Sequence, residues 1–133
     1  DAGGDNDYVY AGTENDYVNG GDGIDTLFGE AGNDTIYGGA GDDYMVAGGG
    51  IDTLYGEGGS DRFVFAQQSG TDTIGDFQDG LDRIDLSTYG GATFANTTIQ
   101  QSGSNTIITM VGGETITLVG ISAATVTAAD FIF

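Results

Sequence analysis

The sequence predicts an all-β chain, in which a thin parallel solenoid of short strands fills the first half and an antiparallel β cap closes the second. Three observations predict it. An aspartate recurs at every ninth position from Asp7 to Asp61. An apolar residue stands two positions after each of them, and glycine or alanine dominates the opening positions of each unit. Beyond Val64 the period stops, and short apolar and polar alternations separated by polar turns replace it.

Stacked by nines, residues 2–64 read AGGDNDYVY, AGTENDYVN, GGDGIDTLF, GEAGNDTIY, GGAGDDYMV, AGGGIDTLY and GEGGSDRFV. The sixth slot is Asp7, Asp16, Asp25, Asp34, Asp43, Asp52 and Asp61; the eighth is Val9, Val18, Leu27, Ile36, Met45, Leu54 and Phe63. A unit this short cannot be a helical repeat, and each glycine would cost a helix about 1 kcal/mol. With 26 glycines and no proline, the turns must rest on glycines at positive φ. The glycine-rich residues turn the chain, and the three after each aspartate make a minimal strand whose centre points inward. Two units then close one coil, so strands 18 residues apart lie side by side and parallel. One sheet turns Val9, Leu27, Met45 and Phe63 inward, and the other Val18, Ile36 and Leu54. Such a core is one side chain thick, too thin to fold so acidic a chain by apolar burial alone.

The charge supplies the missing term. Against 21 acidic residues stand only Arg62 and Arg83, for a formal net charge of −19. That balance repels nucleic acid and anionic membrane surfaces and points toward cations. Aspartates 18 apart stack into two rows, Asp7, Asp25, Asp43 and Asp61 on one edge and Asp16, Asp34 and Asp52 on the other. Like charges at strand spacing are unfavourable unless a cation lies between them. The turns aim backbone carbonyls at the same place, giving an all-oxygen shell that suits calcium better than magnesium. Asn or Ser would serve a plain turn as well and would avoid the repulsion. The chain has no Cys and no His, so disulfides, thiolate nucleophiles, zinc sites and imidazole bases are excluded. No apolar run approaches 18 residues, so no membrane insertion is expected. The chain opens at Asp1 inside a repeat, as a fragment of a longer protein would.

The unit resembles the glycine- and aspartate-rich nonapeptide repeat of the RTX (repeats-in-toxin) family. The resemblance implies a right-handed parallel β-roll of seven nonapeptide turns over residues 1–64, with each Ca²⁺ between turns 18 residues apart. The implied ligand pairs are Asp7/Asp25, Asp25/Asp43, Asp43/Asp61, Asp16/Asp34 and Asp34/Asp52, about five or more ions in all. Main-chain carbonyls of the opening slots complete them: Gly20, Gly21, Asp22, Gly23, Gly29, Glu30, Ala31, Gly32, Gly38, Gly39, Ala40 and Gly41. Asp5 and Glu14 occupy the fourth slot, where glycine is expected, so backbone strain is expected there.

Residues 65–133 are expected to form the antiparallel cap. The stretch "FVFAQQSGTDTIGDFQDGLDRIDLS" is similar to the segment that follows the repeats in serralysin-type proteases and alginate epimerase modules. The matching residues are Phe63–Val64–Phe65, Asp72–Thr73–Ile74, Asp76–Phe77, Gly80 and the run from Asp82 to Ser87. Asp72 follows Asp52 by 20 residues, near enough to close the last turn on its edge. Asp76, Asp79 and Asp82 surround Gly80 as a second acidic loop, either a calcium site or a solvated turn. "TTIQQ" and "NTIITMV" flank the turn Ser102–Gly103–Ser104, and "TITLV" follows "GGE", an antiparallel pattern. Thr127 and Asp130 are spaced to cap one helical turn before a last strand or buried plug at Phe131, Ile132 and Phe133. The ending resembles the uncleaved C-terminal signal of RTX proteins exported by bacterial type I secretion. Removing residues 127–133 is therefore expected to abolish export and leave calcium-induced folding largely intact.

Outward slots hold Tyr8, Tyr17 and Tyr44 in the seventh position, and Tyr10, Phe28, Tyr37 and Tyr55 in the ninth. A flat aromatic face suits polysaccharide or a neighbouring domain; cross-strand packing that stiffens a thin sheet is the plainer account. The expected function is that of a noncatalytic, secreted calcium-binding domain. It folds on Ca²⁺ outside the cell and supports the secretion and stability of a larger extracellular protein. Its expected partners are calcium, an upstream domain and the type I secretion apparatus. The alternative is a polysaccharide-binding module of an extracellular carbohydrate-active enzyme or adhesin. Catalysis is not expected, because the repeat already accounts for each carboxylate pair and no His, Cys or Lys is present.

Overall fold

The computed structural model describes residues 2–133. Each of the seven repeat units forms one strand: β1 (Tyr8–Gly12), β2 (Tyr17–Asp22), β3 (Thr26–Glu30), β4 (Thr35–Ala40), β5 (Tyr44–Val46), β6 (Thr53–Gly58) and β7 (Arg62–Val64). Strands begin immediately after the aspartate, and most run beyond three residues into the glycine-rich slots. The remaining strands are β8 (Thr71–Ile74), β9 (Arg83–Asp85), β10 (Thr98–Ser102), β11 (Asn105–Thr109), β12 (Thr115–Leu118) and β13 (Phe131–Ile132).

Odd and even strands of the repeat separate into two sheets, as the 18-residue coil requires. One has the order β1-β3-β5-β7-β9-β13 and the other β10-β11-β12-β8-β6-β4-β2. The pairing is parallel and in strict register, with Leu27 beside Met45, Met45 beside Phe63, and Ile36 beside Leu54. A one-residue slip would turn every inward side chain out. Leu27, Met45 and Phe63 face Ile36, Leu54 and Ile74 across the interior, and all six are fully buried. Val9 is only partly buried, beside a cavity of about 280 Å³ lined by Ala2, Val9 and Val18 among others.

The parallel ladders do not stop at Val64. β8 pairs parallel with β6, setting Ile74 beside Leu54, and β9 pairs parallel with β7, setting Ile84 beside Phe63. The boundary expected between residues 64 and 65 thus falls inside both sheets. Residues 67–75, QQSGTDTIG, are an eighth unit with Gly70, Asp72 and Ile74 in its fourth, sixth and eighth slots. Residues 77–85, FQDGLDRID, are a ninth with Gly80, Asp82 and Ile84 in the same slots. Phe65 with Ala66, and then Asp76, are insertions that break the strict step of nine. Since two units make one coil, the roll has about four coils rather than seven turns.

The cap is smaller than expected and mixed in direction. Only β10, β11 and β12 are antiparallel, with Ile99 opposite Ile108 and Ile108 opposite Ile116. β12 then lies parallel on β8 and β13 parallel on β9, so both sheets are extended by the C-terminal segment. Phe63 is sealed by Ile84 and by Phe77, whose ring centre is 6.4 Å away. Thr127 and Asp130 form the expected capping box on a single 3-10 turn, Ala128–Asp130. It delivers Phe131, 7% exposed, onto Ile84.

Positive φ marks the second and fourth slots of the roll. Gly41, for example, has φ 135°, and a Cβ there would overlap the carbonyl oxygen of Gly23 in the neighbouring coil. The strain expected at Asp5 and Glu14 is not present: neither has positive φ. It falls instead on Glu30 (φ 71°) and Glu57 (φ 64°) in the second slot, and on Gln68 (φ 71°), which is the second slot of the eighth unit. The fourth-slot glycines Gly23, Gly32 and Gly41 lie against the carbonyls of Asp5, Glu14 and Gly23 in the coil before, where a Cβ would not fit.

Candidate metal centre

The aspartates form two continuous rows built from one repeated contact. The backbone N–H of each aspartate donates to Oδ1 of the aspartate in the next coil. In the first row Asp7 donates to Asp25 (2.8 Å), Asp25 to Asp43 (2.8 Å), Asp43 to Asp61 (3.0 Å) and Asp61 to Asp82 (3.0 Å). In the second row Asp16 donates to Asp34 (2.8 Å), Asp34 to Asp52 (2.8 Å) and Asp52 to Asp72 (3.0 Å). Asp72 and Asp82 therefore continue the ladder, each as the sixth slot of its unit.

The other oxygen has no partner. Oδ2 of Asp7, Asp25, Asp34, Asp43, Asp52, Asp61 and Asp72 is buried and accepts no hydrogen bond. Buried carboxylate oxygens without partners are costly, and repeated in register they require an explanation. Glycine in the first slot supplies the space around them. A methyl built on Gly20 would stand 2.5 Å from the Gly38 carbonyl oxygen and closer still to Asp25 Oδ2. One built on Gly38 would stand 3.0 Å from the Gly56 carbonyl, again with Asp43 Oδ2 nearer, and one on Gly29 would stand 2.7 Å from Asp34 Oδ2 beside the Ala47 carbonyl. Carboxylate and main-chain oxygens thus converge on a point that a side chain would otherwise fill. This all-oxygen donor set fits a hard divalent cation.

Of the twelve turn residues expected to offer carbonyls, Gly23, Ala31, Gly32 and Gly41 have carbonyl oxygens with no hydrogen-bond donor among the described residues. Gly20, Glu30 and Ala40 already accept one ladder bond each. Gly21, Asp22, Gly29, Gly38 and Gly39 lie in the paired strands. No group of three or more acidic side chains surrounds one point among the described residues. Carbonyls therefore have to supply most of any coordination shell.

Electrostatics follow the rows. Burial pushes Asp43 and Asp52 up to about 6 and Asp61 and Asp72 up to about 7, against the backbone N–H each accepts. The stacked neighbour adds to the rise: Asp25 acts on Asp43, Asp34 on Asp52, Asp43 on Asp61 and Asp52 on Asp72. Asp34 and Asp82 are raised chiefly by burial as well. Asp85 goes the other way: bonds from Ser87 and Arg62 outweigh its burial and lower it.

The expected acidic loop around Gly80 is not one cluster. Asp82 ends the first row with both oxygens satisfied, the second by Gln78 N–H at 2.7 Å. Asp76 accepts from Gly56 N–H and Glu57 N–H, both at 2.9 Å, and so pins the turn whose Glu57 is strained. Asp79 is exposed. The shared motif glycine-any-aspartate-any-apolar, at Gly70–Ile74 and Gly80–Ile84, was the signal that separates Asp72 and Asp82 from the other two.

The aromatic residues divide between two faces. Tyr10 stacks on Phe28 (4.7 Å, 4°) with Tyr8 beside it, while Tyr37 stacks on Tyr55 (4.7 Å, 8°) with Tyr17 beside it on the other sheet. Tyr44 lies under the Arg62 guanidinium, 5.3 Å away. Tyr55 covers Gly75, the ninth slot of the eighth unit, where a Cβ would overlap its ring.

Comparison with known proteins agrees with this geometry. The model of the RTX calcium-binding nonapeptide repeat matches in four copies, over residues 1–18, 19–54 and 37–74. The chain belongs to the RTX calcium-binding nonapeptide repeat family. Its match ends at the eighth unit. Among solved structures, the fold is similar to that of the extracellular lipase LipA from Serratia marcescens (TM-score 0.77, 23% identity), over 95% of this chain and 20% of the lipase. It is also similar to the AlgE6R2 subunit of the Azotobacter vinelandii mannuronan C5-epimerase (TM-score 0.68, 25% identity), over 90% of this chain and 88% of that subunit. The chain thus spans about a fifth of the lipase's length. A search of curated proteins found no match.

Proposed function

We propose that this chain is a noncatalytic domain whose folding is driven by calcium outside the cell, and that it stabilises a larger secreted protein. One observation carries the reading: seven buried Oδ2 atoms in two stacked rows, without donor or counter-charge, on the edges of a core one side chain thick. The residues that would hold the ions are the pairs Asp7/Asp25, Asp25/Asp43, Asp43/Asp61, Asp16/Asp34 and Asp34/Asp52, to which the ladder adds Asp52/Asp72. Bound calcium supplies the positive charge that lets like carboxylates stack. The chain's own part is to cap Oδ1 with a backbone N–H, orient Oδ2, and keep the turns free of side chains.

The similarity to an extracellular lipase supports an extracellular location, and the family supports calcium as partner. An upstream catalytic domain and export by a type I apparatus belong to the same reading. Equilibrium dialysis tests it: about five or six calcium ions per chain, and none from magnesium at the same concentration. A chain that binds neither ion overturns it.

A second reading, polysaccharide binding, is favoured by the exposure of Tyr8 (67%) and Tyr10 (60%) beside Phe28. Titration with mannuronan oligomers, followed by tyrosine fluorescence, separates the two readings.

A further inference from the structure

The two aspartate rows end differently. The first ends at Asp82, both of whose oxygens accept protein N–H groups. The second ends at Asp72, whose Oδ2 is buried and without a donor. Three further buried oxygens without partners accompany it: Ser69 Oγ, Glu114 Oε2 and Tyr89 OH. Ser69 and Asp72 are fully buried and Tyr89 is 2% exposed.

Strand pairing and close contacts bring these groups together. Ser69 precedes Asp72 by three residues in the same turn, and its hydroxyl is buried and unpartnered like Asp72 Oδ2. Parallel pairing of β12 with β8, Thr115 beside Thr71, carries Glu114 to this edge. The Gln68 N–H then holds Glu114 Oε1. Glu114 Oε2 and Tyr89 OH flank Gly112, 2.9 and 2.5 Å from where a Cβ would stand. The eighth unit also repeats the turn of the roll, with positive φ at Gln68 and Gly70. No basic side chain answers the two carboxylates, because Arg62 is bonded to Asp85 and Arg83 to the carbonyl of Asp82, both on the other sheet. Buried carboxylates without counter-charge call for a cation.

We propose that Asp72, Glu114 and Ser69 hold one further calcium ion at the seam between roll and cap, beside the Tyr89 hydroxyl. Unlike the ladder sites, this one takes a carboxylate from outside the repeat. It would make closure of the cap hairpin, and not only stacking of the coils, dependent on calcium. The proposal rests on the calcium reading above.

The test counts calcium ions on the full chain by native mass spectrometry. Glu114→Gln keeps an oxygen for the Gln68 N–H and removes the charge, so the variant should fold in calcium and bind one ion fewer than the parent chain. An equal ion count in the two chains overturns the proposal. If Glu114→Gln does not fold even in excess calcium, Ser69→Ala decides. That change removes only a hydroxyl, and it should weaken the most loosely held ion about tenfold; unchanged affinity overturns the proposal. A parent chain that binds no calcium overturns both readings, whereas one that binds the ladder ions with no loss in the variants overturns this one alone.

Discussion

The backbone N–H of Asp43 donates to Oδ1 of Asp61 at 3.0 Å, while Oδ2 of Asp61 stays buried with no partner. One carboxylate thereby joins two coils through one oxygen and leaves the other, the oxygen proposed to take a cation, without a partner. The two roles are separable by substitution. Asp61→Asn keeps an acceptor for Asp43 N–H and removes the charge. It should raise the calcium midpoint for folding about tenfold and make the chain more structured in chelator than the parent. Asp61→Ala also loses the acceptor and should cost a further 1–3 kcal/mol or so. Calcium-titrated circular dichroism of both variants checks the order.

Position along the row matters. Asp43 and Asp34 each accept an N–H from one coil and have an aspartate neighbour on both sides. The Asp7 carboxylate accepts no hydrogen bond from a described residue and has one aspartate neighbour among them. Asp34→Ala and Asp43→Ala should each abolish about two ions and lose about 2 kcal/mol of calcium-bound stability. Asp7→Ala should lose one ion at most. Calorimetric stoichiometries that are equal for the three would contradict the row geometry.

Acidity should oppose calcium. The raised values, about 6 for Asp43 and Asp52 and about 7 for Asp61 and Asp72, lie above the 3.8 of a free aspartate. Between about pH 4 and 7 the metal-free fold therefore binds more protons than the unfolded chain, so its stability falls as pH rises through that window. The metal-free roll is least unfavourable near pH 4 and carries the full penalty above pH 7. Calcium must displace those protons from whatever metal-free roll low pH has folded, so its binding should be weaker at pH 5 than at pH 7. In chelator the β signal should be larger at pH 5 than at pH 8, and calcium should release protons only where that signal is present; a coil spectrum at both would show that protonation does not relieve the rows.

The strained second slots offer a gain. Glu57 at φ 64° stands where most units carry glycine, as does Glu30 at φ 71°. Glu57→Gly should stabilise the calcium-bound chain by up to about 1 kcal/mol, since glycine adopts that backbone freely. Gly41→Ala should do the reverse, because its methyl would overlap the Gly23 carbonyl. Melting temperatures in excess calcium check both directions.

These outcomes also show how much of the molecule was legible in its sequence. The Asp7 to Asp61 rows, the inward apolar set and the split into two sheets follow from one fixed step. A parallel ladder converts a step of nine directly into register, and Leu27, Met45 and Phe63 lie where that step puts them. Asp72 and Asp82 were harder to place, since Phe65, Ala66 and Asp76 interrupt the count while the surrounding motif persists. Asp82 differs from Asp79 in following Gly80 by two residues and preceding Ile84 by two, and the burial of Asp82 beside the exposure of Asp79 agrees with that motif. Glu114 was invisible, because it reaches the Gln68 turn through the pairing of β12 with β8, and no local pattern encodes a contact at that separation.

The end of the chain changes one expectation for the same reason. Phe131 and Ile132 pair with Ile84 and Asp85 as the last strand of the odd sheet. Removing residues 127–133 should therefore expose the β9 edge and raise the calcium needed for folding several-fold. An unchanged midpoint would show that the strand is dispensable to the roll.

Far-ultraviolet circular dichroism of the full chain, in excess chelator and then in millimolar calcium, tests the central claim most directly. If calcium binding and folding are one event, the chelated chain gives a coil spectrum and gains β signal in a single cooperative transition as calcium rises. A chelated chain that already shows the full β signal at neutral pH would contradict it.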